Sequence, residues 1–163
     1  MLIHQPKVLF LDEPTTGVDA VSRREFWAML KKLQKQHITI FVSTPYMDEA
    51  NMCDEIAFIQ DGQILSVNTP EKMVINYTAH LWAIKTADRY QALHDLNQKF
   101  GEDHCYIFGE YLHLSLPQNG INEEVIHHYL VQLKHREVLV KRTSPTIEDC
   151  FLYLMKQKNI HGT

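Results

Sequence analysis

KVLFLDEPTTGVDA, residues 7–20, decides how the first half of the chain is read. Val8 to Leu11 is a short apolar run, and such a run closed by Asp12, Glu13 and the breaker Pro14 reads as a buried strand of the kind found in parallel sheets. The two acids therefore fall at the strand's carboxyl end. Thr15 to Asp19 follows as a loop, and Asp19 can cap a helix that carries Phe26, Leu30 and Leu33 on one face. That helix is expected to end near His37. Ile38 to Val42, rich in β-branched and aromatic residues and stopped by Ser43, Thr44 and Pro45, is the next strand. Strand, helix, strand in this order implies a parallel sheet with a right-handed crossover helix, hence an α/β fold.

Working outward, Met47 to Met52 reads as a short helix. Ile56 to Ile59 and Ile64 to Val67 flank Asp61-Gly62, a strong two-residue hairpin signal. Beyond Thr69-Pro70 and a short polar helix, strands are expected at Leu81 to Thr86, Cys105 to Phe108, Tyr111 to Leu116 and Val138 to Arg142. Helices at Tyr90 to Phe100 and at Glu123 to Lys134, the latter behind an Asn122 cap, give the order β-α-β-β-α-β, the ferredoxin-like arrangement. Thr146 and Asp149 have the spacing of a capping box that opens a last helix running through Lys156. The expected division is residues 1–76 and residues 77–163.

Composition narrows the function classes. The 163 residues are 45% apolar and 22% charged, which excludes collagen-like, disordered and disulfide-scaffold chains. No apolar run approaches the ~18 residues a bilayer-spanning helix needs, and the opening MLIHQPK lacks the basic and apolar regions of a secretory signal, so a cytoplasmic chain is expected. A net charge of −4 lacks the basic footprint of phosphate-neutralising proteins, so no nucleic-acid partner is expected. Cys53, Cys105 and Cys150 show no CxxC spacing and read as reduced core thiols.

Adjacent acids after an apolar strand have a specific use in nucleotide chemistry. One can hold magnesium through a water while the next polarises the water that attacks a γ-phosphate. Two acids can also simply end a strand at solvent. The wording around them goes further: VLFLDEPTTGVDA resembles the Walker B strand and D-loop of ATP-binding cassette (ABC) ATPases, and STPYMDEANMCDEIAFIQDGQI resembles the switch loop, helix and hairpin that follow. The ending TSPTIEDCFLYLM resembles the C-terminal accessory domain of exporter-type members.

The resemblance implies a partial P-loop NTPase domain followed by a ferredoxin-like α+β domain. By position it makes Asp12 the magnesium aspartate, Glu13 the general base, and Thr15 to Asp19, with Thr16, Gly17 and Asp19, the D-loop facing the opposite subunit. ATP and Mg2+ are the implied cofactors. A second ABC ATPase domain and an integral membrane permease are the implied partners, with the chain peripheral on the inner face of the cell membrane. Two departures stand against this background. The 163 residues contain no GxxxxGK[ST] phosphate loop and no LSGGQ-type signature, so negligible ATP binding by the chain alone is expected. Pro45 stands where the family pattern places a γ-phosphate-contacting histidine; either this switch is impaired or the loop is built for a proline. The intact protein is thus expected to couple Mg-ATP hydrolysis to export, the alternative being a catalytically silent fragment that serves dimerisation or regulation.

Other candidates carry less. His127 and His128 are adjacent and diverge by about 100° on a helix, so they read as surface residues rather than a ligand pair. Cys150, Trp27 and Trp82 read as packing residues. Tyr106, Phe108, Tyr111 and His113 could be taken for base-stacking aromatics, but no basic residue lies between Cys105 and Leu116, which favours packing.

Overall fold

A parallel pair of strands starts the chain. The computed structural model describes residues 6–117 and 120–161. Strand β1 (Val8–Asp12) pairs with β2 (Thr39–Ser43) in register Val8 to Thr39 through Asp12 to Ser43, and the helix α1 (Ala20–Gln34) connects them. A short helix α2 (Met47–Ala50) follows. The face of α1 that is buried carries Trp27 and Leu30. Phe26 and Leu33, expected at the centre of that face, are only half-buried at its flank, because at 100° per residue Arg23, Trp27 and Leu30 form the row that turns inward. β1 and β2 also depart from the expected burial. Phe10 and Phe41 lie side by side with ring centroids 5.7 Å apart and are 74% and 56% exposed, since among the described residues this sheet has two strands and leaves their face uncovered.

The chain divides into two compact units between Asp54 and Glu55. In the second, β3 (Ile56–Gln60) and β4 (Gln63–Asn68) form an antiparallel hairpin. Asp61 and Gly62 turn it with φ of +51° and +71°, the left-handed pair that a two-residue turn between twisted strands requires. Helix α3 (Pro70–Ile75) starts at Thr69, whose hydroxyl accepts the Lys72 amide. Within this unit β4 and α3 pack on α6 (Ile147–His161).

The rest of this unit is a four-stranded antiparallel sheet in the order β6 (Cys105–Phe108), β7 (Tyr111–Leu116), β5 (His80–Lys85), β8 (Leu139–Arg142). Helices α4 (Arg89–Phe100) and α5 (Glu123–Gln132) lie between β5 and β6 and between β7 and β8 in the chain. Asp88 and Asn122 cap them by accepting the Gln91 and Val125 amides at 3.1 and 3.0 Å. Ile84, Leu96, Leu112, Leu114, Ile126 and Leu130 make the core with them. The other sheet face is closed by α6. Its Asp149, fully buried, accepts Tyr106 Oη, His113 Nδ1 at 2.7 Å, and the Thr146 amide and hydroxyl, both at 2.7 Å. Strand β7 is therefore buried from Leu112 to Leu116 without alternation. Tyr106, Phe108 and His113 pack together on this face, with His113 stacked on Phe108 at 4.2 Å, in keeping with packing rather than base stacking. Cys105 and Cys150 are core thiols, which burial pushes up to about 12 and about 11, whereas Cys53 is only half-buried at the end of α2.

Burial raises the Asp149 carboxyl, but hydrogen bonds from His113, Tyr106 and Thr146 outweigh it and hold the group below the usual carboxylate range. A depressed carboxylate stabilises the fold above its unfolded value and loses that contribution as pH falls through the folded one. Urea midpoints measured against pH are expected to drop below about pH 4. Asp149→Asn is expected to be ~1–3 kcal/mol less stable at neutral pH and to lack this acid step.

Candidate functional site

The two acids stand where β1 meets β2. Asp12 ends β1 opposite Ser43, whose hydroxyl donates to Asp12 Oδ1. Glu13 does not continue the strand. Its φ is +43°, in the left-handed region, so strand alternation cannot be read through it, and a non-glycine residue there costs ~1–3 kcal/mol. The Glu13 amide is held by both the Ser43 carbonyl at 3.0 Å and the Ser43 Oγ at 3.2 Å. Ser43 thus touches both acids, one through its hydroxyl as donor and the other as acceptor.

A turn follows. The Thr16 amide donates to the Glu13 carbonyl at 3.1 Å and the Thr16 hydroxyl donates to Glu13 Oε2 at 3.0 Å, which aims the carboxylate. Gly17 has φ +77° with nothing within 4 Å of where a Cβ would sit, so it is backbone conformation rather than crowding that asks for glycine. Asp19 spends one oxygen on α1, accepting the Val21 and Ser22 amides at 2.9 and 3.1 Å. The Ser22 hydroxyl, then the Ser22 and Val21 amides, hold this exposed carboxyl below the usual range. It is therefore the helix cap expected from the sequence.

Pro45 is exposed after β2, between Thr44 and Tyr46. Thr44 Oγ1 accepts the Tyr46 amide at 3.1 Å and donates to Glu49 Oε2 at 2.7 Å. Glu49 escaped the sequence reading. It is 2% exposed, and its other oxygen accepts the hydroxyl of Thr15, itself 0% exposed, at 2.7 Å. Arg23 Nε lies 3.6 Å from Glu49 Oε1, and the Arg23 guanidinium sits 4.2 Å over the Tyr46 ring. Thr15 and Glu49 are 34 residues apart, so nothing local in the sequence signals the contact. The donors gathered around Asp12 and Glu13 are carboxylate and hydroxyl oxygens, the hard set that Mg2+ takes.

The structure thus places two acids and a hydroxyl at the carboxyl ends of paired parallel strands. Comparison with known proteins finds relatives over just under half of the chain. The chain is 43% identical over 72 residues, 44% of its length, to a probable multidrug ABC transporter ATP-binding protein of Escherichia coli, covering 12% of that protein. It is 40% identical over 75 residues, 45% of its length, to a fluoroquinolones export ATP-binding protein of Mycobacterium tuberculosis, covering 25% of it. It is 37% identical over 76 residues, 47% of its length, to ABC transporter G family member 20 of Dictyostelium discoideum, covering 10% of it. No family model matches the chain. Just under half of the chain is thus similar to a segment of proteins named as ABC transporter ATP-binding proteins or ABC transporters, and the match spans a quarter or less of the length of these three relatives.

Among the described residues no helix is long and apolar enough to cross a membrane. Because Asp19 holds two amides of the first turn of α1, Asp19→Ala is expected to lower the urea unfolding midpoint, while Asp19→Asn keeps it near the parent's.

Proposed function

We propose that residues 1–76 are the Walker B, D-loop and switch-loop part of an ABC exporter ATPase, and that residues 77–163 are its ferredoxin-like accessory domain. The observation that carries this reading is the Asp12–Ser43–Glu13 arrangement at the ends of two parallel strands joined by a helix, in a chain with ABC ATP-binding relatives. The strand order β6-β7-β5-β8 with helices in alternate connections supports the accessory-domain assignment. The exposed Phe10 and Phe41 support a β1–β2 pair that continues, in the intact ATPase, into a sheet covered on both faces. In this reading the crossover through α1 belongs to a P-loop NTPase core, and the phosphate loop and signature come from outside these residues.

Bound Mg-ATP would bring its own charge neutralisation of the β- and γ-phosphates. This chain's residues would supply the groups at the cation and at the attacking water. Asp12 would hold the cation through water, its carboxylate kept in place by the Ser43 hydroxyl. Glu13 would take the proton of the attacking water, its carboxylate aimed by Thr16 Oγ1. Thr16, Gly17 and Asp19 would present the turn to a second ABC ATPase domain, and a membrane permease would receive the resulting motion, with the ATPase cytoplasmic and peripheral on the membrane's inner face. The names of the Escherichia coli and Mycobacterium tuberculosis relatives, a probable multidrug ABC transporter ATP-binding protein and a fluoroquinolones export ATP-binding protein, favour export as the direction.

In the intact ATPase, Glu13→Gln is expected to lower turnover by ~10²–10⁴ with ATP binding kept, while Asp12→Asn weakens Mg-dependent ATP affinity. Retained turnover in Glu13→Gln would remove the assigned base. Pro45→His is expected to raise turnover if the proline impairs the switch. An unchanged or lower rate in the folded variant means a loop built for proline. The 163-residue chain alone is expected to show no melting shift with millimolar Mg-ATP, where a ligand at 100 times its dissociation constant would add about 2.7 kcal/mol.

A further inference from the structure

We propose that Glu49 is a positioning residue, a buried carboxylate clasp that fixes Glu13 against the loop bearing Pro45. As regards hydrolysis, this rests on the ATPase reading above. The geometry is a closed ring of contacts. Ser43 holds the Glu13 amide, Thr44 follows Ser43 and donates to Glu49 Oε2, Glu49 Oε1 accepts Thr15, and Thr15 lies two residues beyond Glu13. Glu13 is thus gripped on one side through Ser43 and on the other through Thr15 and Glu49.

A carboxylate is a costly way to pack a helix. Removing it from water is unfavourable by several kcal/mol, and an apolar side chain of similar size would seat α2 without that penalty. What the carboxylate supplies is direction, because its two oxygens reach hydroxyls on two different loops, each at 2.7 Å. Arg23 supplies the compensating charge at 3.6 Å. Its Nε makes no hydrogen bond, so it neutralises Glu49 without competing for the oxygens that hold the loops.

The strain at Glu13 gives the clasp its purpose. A non-glycine residue at φ +43° persists only where its surroundings over-determine it. Thr16 constrains that turn from within, but the only side-chain bonds tying the 13–16 turn to the Pro45 loop, among the described residues, run through Ser43 and through Glu49. Loosening Glu49 frees Thr15 and Thr44 together, and Glu13 loses one of its two anchors to β2 and the loop after it.

The test begins on the 163-residue chain, by amide hydrogen exchange in Glu49→Gln, Thr15→Val, Thr44→Val and Thr15→Ser. Exchange at the Glu13, Thr16 and Tyr46 amides is expected to quicken about tenfold in the first three and to stay near parent in Thr15→Ser, with amides inside α1 little changed. A uniform rise across the unit, or none at these amides, overturns the proposal. Should Glu49→Gln fail to fold, the two valine variants, each removing one bond, decide it. In the intact ATPase, Thr15→Val is expected to lower kcat by up to ~10²-fold with KM for Mg-ATP unchanged, and Thr15→Ser to restore it. An unchanged kcat overturns the positioning role. If the unsubstituted ATPase turns over no ATP, the ATPase reading falls, and the exchange pattern alone judges the clasp.

Discussion

Each compact unit is closed by one buried carboxylate that collects hydrogen bonds from different parts of its unit. In the first, Glu49 accepts Thr15 and Thr44 with Arg23 alongside. In the second, Asp149 accepts Tyr106, His113 and both donors of Thr146. A buried carboxylate left unpaired would be strongly destabilising, so once these groups are inside, their partners are constrained too. The turn after β1, the loop after β2, and the docking of α6 on its sheet all follow from satisfying these oxygens.

The two clasps differ in what they hold. Asp149 secures a helix to a sheet whose opposite face already has a continuous apolar core, so its bonds orient α6 more than they create the unit. Glu49 works in a unit whose buried apolar side chains, among the described residues, are Trp27, Leu30 and Ala50. There the polar links bear more of the local order, and they converge on a residue in a strained conformation beside the proposed magnesium aspartate. Strain held by polar contacts is what a group that must keep one orientation toward a reacting water requires.

The elements with local signals were legible. The breaker Pro14 after an apolar run, the Asp61-Gly62 turn, the Asn122 cap and the Thr146–Asp149 box each act within about four residues, and each sits where expected. The fine placement of side chains was less so. Phe26 yielded the centre of the α1 face to Trp27, because hydrophobicity marks a stripe but not which row of it meets a neighbour. Cys53 read as core by residue type and proved half-buried.

What the sequence by itself determined is the order of the elements and the motif wording that pointed to ABC ATPases, since both depend on residues near one another in the chain. Tertiary structure alone decided that Glu13 leaves the strand in a left-handed turn, that Ser43 binds both acids, and that Glu49 joins Thr15 to Thr44. Apart from the Thr44–Glu49 bond, which spans five residues, those contacts join residues 30 to 34 positions apart along the chain, or set a backbone angle that residue type disfavours. No local propensity encodes them; they arise only when parallel pairing of β1 and β2 brings the two loops together and burial obliges each oxygen to find a donor.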